Sequence, residues 1–247
     1  MVAKSPKETV IARLIREGLF VNLDEAERHI RAGQVKVDGR TVGKPSDVVS
    51  PQSLLSVVAS KQYVGRGALK LEHAISTFRL SPKGCICADV GSSTGGFTEV
   101  LLKHGAERVY AIDVGYGELD WKLRSDPRVV VMERTNARYV EALPEPISFV
   151  SVDVSFISLT KILPAVRKWI APLSQIVTLV KPQFEAARGD VGEGGIVRDE
   201  GVHKEVLDRI VAFLPTIDLA FCGVEASPIL GAEGNKEFLV WSRPSGG

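Results

Sequence analysis

Ionisable residues that close apolar runs mark where this chain is equipped for chemistry. Asp153 ends the run Phe149-Val150-Ser151-Val152, and Lys181 ends Ile176-Val177-Thr178-Leu179-Val180. Both read as strand-end residues, and in an open α/β sheet ligands bind outside the carboxyl ends of the parallel strands. A charge set directly after such a run is costly unless it is paired. Lys70, in Gly65-Arg66-Gly67-Ala68-Leu69-Lys70-Leu71, and Glu237, which opens Glu237-Phe238-Leu239, bring the set to two cations and two carboxylates. Each one alone reads equally well as a solvated strand-end charge or half of a salt bridge. Four together point more strongly to a site.

A second feature is Cys87-Ala88-Asp89-Val90-Gly91-Ser92-Ser93-Thr94-Gly95-Gly96-Phe97-Thr98. It reads as a strand, a tight glycine turn and a helix start, which presents backbone N–H groups to a ligand. Asp113 closes the next apolar run, Val109-Tyr110-Ala111-Ile112. An acidic residue about 20 positions past a glycine turn commonly holds a ribose hydroxyl pair. The stretch therefore points to a cofactor that contains a nucleoside. Gly91 is followed by small polar residues, so the second glycine that a pyrophosphate needs is missing, which argues against NAD and FAD. Glu133, Arg134 and Asn136 follow the third run, where an adenine edge is commonly read. Asn136 serves equally as a helix cap.

The elements that must carry these residues alternate from Tyr63 onward. Strands are expected at 85–90, 108–113, 128–132, 147–153 and 174–181. Helices are expected at 67–77, 96–104, 116–124, 136–142, 158–170 and 203–213, which calls for a parallel sheet covered on both faces. Two late strands, 219–228 and 237–242, flank the turn-rich Gly231-Ala232-Glu233-Gly234-Asn235 and should pair as an antiparallel hairpin. The glycine-rich segment 188–198 reads equally as a lid or as a plain connection. Tyr116 and Trp121 read as core or helix-surface aromatics. His73, His104 and His203 lack ligand spacing and read as structural.

Residues 1–58 differ in pattern. Helices are expected at 9–16, stopped by Gly18, and from Asn22, an N-cap with Glu25 at capping-box spacing, to about Arg31. Short strands follow at 34–37, 40–42 and 54–58, with Asp38-Gly39 as the hairpin turn. Ala59-Ser60-Lys61-Gln62 reads as a short polar linker, and 63–247 as the second domain. The chain of 247 residues is 45% hydrophobic and 25% charged, with net charge +1, so nucleic-acid binding would need cations gathered locally. Three cysteines, two of them on one strand face, form no zinc set and fit a reducing cytoplasm. No secretory leader and no apolar run of membrane-spanning length is visible.

The pattern Asp89-x-Gly91-x-x-x-Gly95-Gly96-Phe97-Thr98 resembles the cofactor turn of S-adenosylmethionine-dependent methyltransferases. The set Lys70, Asp153, Lys181 and Glu237 resembles the catalytic tetrad of FtsJ-like ribose 2′-O-methyltransferases. Residues 1–58, through Gly33-Gln34-Val35-Lys36-Val37-Asp38-Gly39-Arg40, resemble the RNA-binding domain type of ribosomal small-subunit protein four. Together they resemble the TlyA family, often labelled hemolysin A. Further shared runs are Asp153-Val154-Ser155-Phe156-Ile157-Ser158-Leu159, Lys181-Pro182-Gln183-Phe184-Glu185 and Gly234-Asn235-Lys236-Glu237. Gly65 stands where a serine is usual. Thr9-Val10-Ile11 and Asn22-Leu23 depart from the RNA-binding pattern and leave out two phosphate-facing cations.

The resemblance implies an α/β fold: a Rossmann-like methyltransferase with a seven-stranded, mostly parallel sheet whose last strand is antiparallel, joined to a small N-terminal α+β RNA-binding domain. It implies S-adenosyl-L-methionine bound by Asp89, Gly91, Ser92, Ser93, Thr94, Gly95, Gly96, Phe97, Thr98, Asp113, Asn136 and Asp153. It implies catalysis by the tetrad without a metal, on ribosomal RNA or ribosomal subunits, in the cytoplasm. The RNA would be met by Arg13, Arg16, Arg28, Arg31, Lys36, Arg40 and Arg66. A lysine near the 2′-hydroxyl, with its pKa depressed by a second lysine, would take the proton or steer the oxygen lone pair. Three other readings compete: a non-catalytic RNA-binding or ribosome-assembly factor, a pore-forming haemolysin, which no spanning or strongly amphipathic helix supports, and a small-molecule methyltransferase, which the N-terminal unit disfavours.

Overall fold

The computed structural model describes residues 8–20, 22–31, 33–57, 63–231 and 233–246. The expected linker 59–62 lies outside them. The chain divides into two compact units, Met1–Gln62 and Tyr63–Gly247.

In the first unit, β1 (Glu8–Thr9) leads into α1 (Val10–Arg16), which Thr9 caps by accepting from the Ala12 N–H. Helix α2 (Leu23–Arg31) starts at Asn22, whose Oδ1 accepts from Glu25 N at 2.9 Å. Strands β2 (Val35–Val37) and β3 (Arg40–Thr41) form the expected hairpin. Both turn residues, Asp38 at φ 49° and Gly39 at φ 80°, take the left-handed conformation that a two-residue hairpin turn demands. A two-residue strand β4 (Val48–Val49) pairs with β1, which the sequence did not announce, and β5 (Leu55–Val57) joins β2. Val10, Leu14, Phe20, Ala26, Ile30 and Val35 make its core.

The second unit opens with α3 (Ala68–Phe78) and alternates from there: β6 (Ile86–Val90), α4 (Gly96–Lys103), β7 (Arg108–Ile112), α5 (Trp121–Arg124), β8 (Val129–Met132), β9 (Ile147–Val152), α6 (Leu163–Trp169) and β10 (Ile170–Val180). Helix α7 (Pro182–Glu185), α8 (Glu200–Phe213), β11 (Leu219–Ala226) and β12 (Phe238–Pro244) complete it. The sheet order is β11-β12-β10-β9-β6-β7-β8. Strand β12 runs antiparallel to both β10 and β11, and the other pairs are parallel.

Alternate strand residues sort to opposite faces. Ala88, Val90, Val150 and Val152 pack with Leu163, Val166, Val206 and Ile210 from α6 and α8. Cys87, Val109, Phe149 and Val177 pack on the other side with Leu71 and Ala74 of α3 and Leu101 of α4. Strands buried on both faces are nearly all apolar, which is why they stood out as runs.

Three expected helices are shorter than their spans. Residues 116–120 form bends and irregular backbone, with Gly117 at φ 75°, and α5 begins only after Asp120 caps it. The 136–142 segment holds a single 3-10 turn, Ala137–Tyr139, capped by Asn136. In 158–170 a 3-10 turn at Leu159–Lys161 precedes α6.

Candidate active site

Strand order reverses between β6 and β9, since β6 continues to β7 on one side while β9 lies on the other. That switch point opens a crevice at the carboxyl ends of the strands. Here the Asp153 N–H donates to the Val90 carbonyl at 2.8 Å, and Gly91 sits so close that a Cβ would lie 2.2 Å from the Asp153 carbonyl oxygen. With φ at 86°, Gly91 is required both for the turn and for the approach. Gly91→Ala should cost roughly 1–3 kcal/mol of backbone strain and push Asp153 out of register. The expected result is a lower melting temperature and a cofactor affinity at least about tenfold weaker by calorimetry; wild-type values for both would sink the assignment.

Two adjoining clefts open at this point. The first, about 650 Å³, is lined by Gly91, Ser92, Ser93, Thr94, Gly96 and Phe97, and by Arg66, Lys70, Asp153, Lys181 and Glu237. The second, about 440 Å³, is lined by Asp113, Thr135, Asn136 and Ala137, and shares Gly91, Ser93 and Asp153 with the first. Asp113 accepts from Ser93 N at 2.8 Å and Gly115 N at 2.7 Å, which ties the turn to the end of β7. Asn136 spends its Oδ1 on the Arg138 N–H at 3.1 Å, so it is a cap that also lines the cleft.

The four ionisable residues meet in the first cleft. Lys70 Nζ bonds Glu237 Oε2 at 2.5 Å, with both side chains buried. Lys181 Nζ lies 2.6 Å from Asp153 Oδ1 and donates to Ser155 Oγ at 3.0 Å. Each lysine is thus matched to one carboxylate, and α3, β9, β10 and β12 each supply one member from an end. Gly231 clears the way for Glu237, since a Cβ there would stand 2.3 Å from its Oε1. Gly65, in the place usual for serine, is explained by Thr94, whose Oγ1 would be 2.6 Å from an added Cβ.

Three residues of the turn lie elsewhere than expected. Asp89 is fully buried and accepts from Thr98 Oγ1 at 2.6 Å and Ser151 Oγ at 3.0 Å. Burial pushes its carboxyl up to about 7. Thr98 is equally buried, and Gly95 faces Leu119 and Leu123. None of the three lines either cleft. They hold the turn from beneath, because alternation along β6 points Asp89 into the layer between sheet and helix.

Sequence reading missed several residues. Asn235, fully buried, accepts from Val197 N and donates to the Gly195 carbonyl, both at 2.9 Å, so the 188–198 segment is pinned at one end rather than loose. Glu185 accepts from Ser158 Oγ and Leu159 N, both at 2.7 Å, and fastens the loop after β9. Phe156 on that loop is 90% exposed at the cleft mouth, 5.0 Å from the Phe184 ring. Six described non-glycine residues have positive φ. Asp38 is in a hairpin turn, and Arg79 and Asp218 close helices. The other three, Ser93, Arg134 and Phe156, follow β6, β8 and β9. Strain of this kind collects where function demands it. Nothing in the sequence signals it.

In the first unit Arg13 is corrected. It is 6% exposed, and its guanidinium donates to the carbonyls of Ser50 and Ser53, so it braces the fold and is closed to a phosphate. Arg16 and Arg31 are exposed but paired with Glu8 and Glu27. Arg28 and Arg40 are exposed and Lys36 is partly so. Among the described residues these three have no carboxylate partner.

A family model described as FtsJ-like methyltransferase matches residues 63–243. The 16S/23S rRNA (cytidine-2′-O)-methyltransferase TlyA of Mycobacterium tuberculosis is 44% identical, over 95% of this chain and 89% of its own. Hemolysin A of Brachyspira hyodysenteriae is 45% identical, over 91% and 95%. A solved structure from Streptococcus thermophilus superposes with a TM-score of 0.74 at 44% identity, covering 98% of this chain and 90% of that one. With the tetrad positions gathered in one cleft and this match over most of its length, the chain belongs to the FtsJ-like methyltransferase family.

Proposed function

We propose that the chain transfers a methyl group from S-adenosylmethionine to a ribose 2′-hydroxyl of ribosomal RNA. The observation that carries this reading is the convergence of Lys70, Asp153, Lys181 and Glu237 in a cleft continuous with a second one built for a nucleoside. The residues fit that cofactor. Gly91, Ser92 and Ser93 of the turn line the cleft, Asp113 offers a carboxylate at the end of β7, and Asn136 keeps its amide NH2 open to an adenine edge. When bound, S-adenosylmethionine supplies a methyl group carried on positively charged sulfur.

The chain's own residues supply the rest. Asp153 holds the Lys181 ammonium, and Ser155 fixes its direction. As an ammonium Lys181 orients the lone pair of the 2′-hydroxyl; once it has lost a proton to solvent, the neutral amine takes the hydroxyl proton as the oxygen attacks. Lys70 and Glu237 form a buried pair that fixes the far wall, and Arg66, exposed at the mouth, suits a phosphate. Most of the rate enhancement is expected from holding the reacting atoms in line. Phe156 and Phe184 offer an apolar face for the base of the acceptor nucleotide. The N-terminal unit brings the RNA through Arg28, Lys36 and Arg40, with Arg16 and Arg31 exchanging exposed ion pairs for phosphates at little cost. The Mycobacterium relative, named as a 16S/23S rRNA (cytidine-2′-O)-methyltransferase, supports the reaction and substrate class.

The test is to incubate the purified protein with methyl-labelled cofactor and ribosomal subunits, then map 2′-O-methyl positions. Label in ribosomal RNA at a defined ribose is the expected result. Cofactor binding without any transfer would favour an assembly factor instead.

A further inference from the structure

One buried titratable side chain has no part in the chemistry above. His203, in the first turn of α8, is 6% exposed. Its Nε2 lies 2.9 Å from the Val197 carbonyl oxygen. A carbonyl only accepts, so Nε2 carries the proton and donates it. Nδ1 is buried with no partner, and the ring stands edge-on to Phe238 with the centres 5.6 Å apart. The ring's polar capacity therefore goes to one backbone oxygen of the segment 188–198. Packing asks only for a ring of this size, and the proton at Nε2 has a use only at that carbonyl.

The segment itself has little support. Residues 188–190, 192–195 and 198 are exposed, Val191 and Ile196 are partly so, and Val197 alone is buried. It closes on itself through Gly192 N–H to the Ile196 carbonyl at 3.0 Å and Gly195 N–H to the Gly192 carbonyl at 3.1 Å. Gly194 and Gly195, at φ 73° and 74°, permit that reversal. Val191 and Gly195 nonetheless line the first cleft beside Asn235 and Glu237. What holds the segment there is Val197, whose N–H donates to Asn235 Oδ1 at 2.9 Å and whose carbonyl accepts from His203. The two clamping side chains also bracket the tetrad. Asn235 lies two residues before Glu237, and Phe238, the ring against His203, follows it directly.

We infer that His203 is a positioning residue for methyl transfer. With Asn235 it pins the turn 191–196 as a fixed wall of the first cleft, in register with Glu237, so that the acceptor nucleotide meets a preformed surface rather than a loop it must order. The inference rests on the reading of the chain as an RNA methyltransferase.

His203→Phe keeps a ring against Phe238 and removes the donor, whereas His203→Gln restores an N–H of similar reach. Steady-state transfer to ribosomal subunits and hydrogen exchange, read by mass spectrometry, are measured on the full chain. His203→Phe should raise KM for the subunits about tenfold, the worth of one lost hydrogen bond, with kcat within about twofold of wild type. Exchange across 188–198 should quicken about tenfold while β6 and β9 exchange as in wild type. His203→Gln should return both readings towards wild type. Wild-type KM and exchange in the phenylalanine variant would overturn the inference. So would exchange that quickens equally in β6 and β9, which would make His203 a plain core residue, or a glutamine variant no better than the phenylalanine one. Exchange needs no turnover and judges the clamp by itself, whereas absence of transfer by the wild-type chain would overturn the proposed function.

Discussion

Lys181→Ala should lower kcat for methyl transfer by roughly 10²–10⁴, the usual worth of a positioned proton-transfer group, while cofactor affinity stays close to wild type. The side chain reaches Asp153 at 2.6 Å and Ser155 at 3.0 Å and contacts no member of the glycine turn in hydrogen-bonding range. Lys181→Arg separates two roles. Arginine keeps the charge and the donors but cannot give up its proton. A variant with kcat near wild type would mean that Lys181 orients the oxygen, and one as slow as the alanine variant would mean that it accepts the proton. Single-turnover transfer with calorimetry on the same samples is the measurement. Alanine retaining full kcat would remove Lys181 from the chemistry.

Lys70 is a poorer probe of the same reaction. Its pair with Glu237 is buried, with side-chain exposures of 9% and 3%. Removing one partner of such a pair leaves an uncompensated charge, at roughly 3–5 kcal/mol. A dead Lys70→Ala enzyme would therefore report unfolding as readily as lost chemistry. The same reasoning separates Asn235 from the tetrad: its two backbone bonds make it a positioning residue for the loop whose Val191 and Gly195 line the cleft.

What the sequence discloses follows from how strongly each feature is forced. Parallel strands buried on both faces must be apolar, so Ile86–Val90, Ile147–Val152 and the buried end of Ile170–Val180, from Ile176 on, announce themselves, and the charges closing the last two fall at the site. The more exposed start of that last strand, at 170–173, goes unread. Where a side chain points is legible only if periodicity is applied to polar residues too. Arg13 lies three positions after Val10 and one before Leu14, both fully buried, so it had to face the core. Asp89 shares its strand face with Cys87, which packs against α4 residues. The helix expected at 116–124 shrank because Gly115 and Gly117 hand the chain to the Asp120 cap. The strained backbones at Arg134 and Phe156 depend on tertiary context and leave no mark in a single sequence.

Asp89 should make stability fall as pH rises, which is unusual for a carboxylate. Its ordinary value of 3.8 applies to the unfolded chain, and burial raises it to about 7 in the folded one, with the nearby Asp153 charge adding to the shift and the Thr98 and Ser151 bonds opposing it. Between these values the folded state binds more protons than the unfolded state, so the free energy of unfolding decreases with pH. The stabilisation is complete below about 4 and lost as pH passes through about 7. Roughly three pH units correspond to about 4 kcal/mol, undiminished by solvent because the side chain is fully buried. Asp89→Asn removes the titration. Its carbonyl can accept from Thr98 Oγ1 and its amide can donate to Ser151 Oγ, whose hydroxyl is free to rotate. Chemical denaturation from pH 4.5 to 8.5 should show the variant gaining on wild type as pH rises, and equalling or exceeding it at the alkaline end. Parallel stability curves would mean that Asp89 stays ionised beneath the turn throughout. In that case its bonds from Thr98 and Ser151 are strong enough to hold a buried charge, and Asp89→Asn should destabilise the fold equally at every pH.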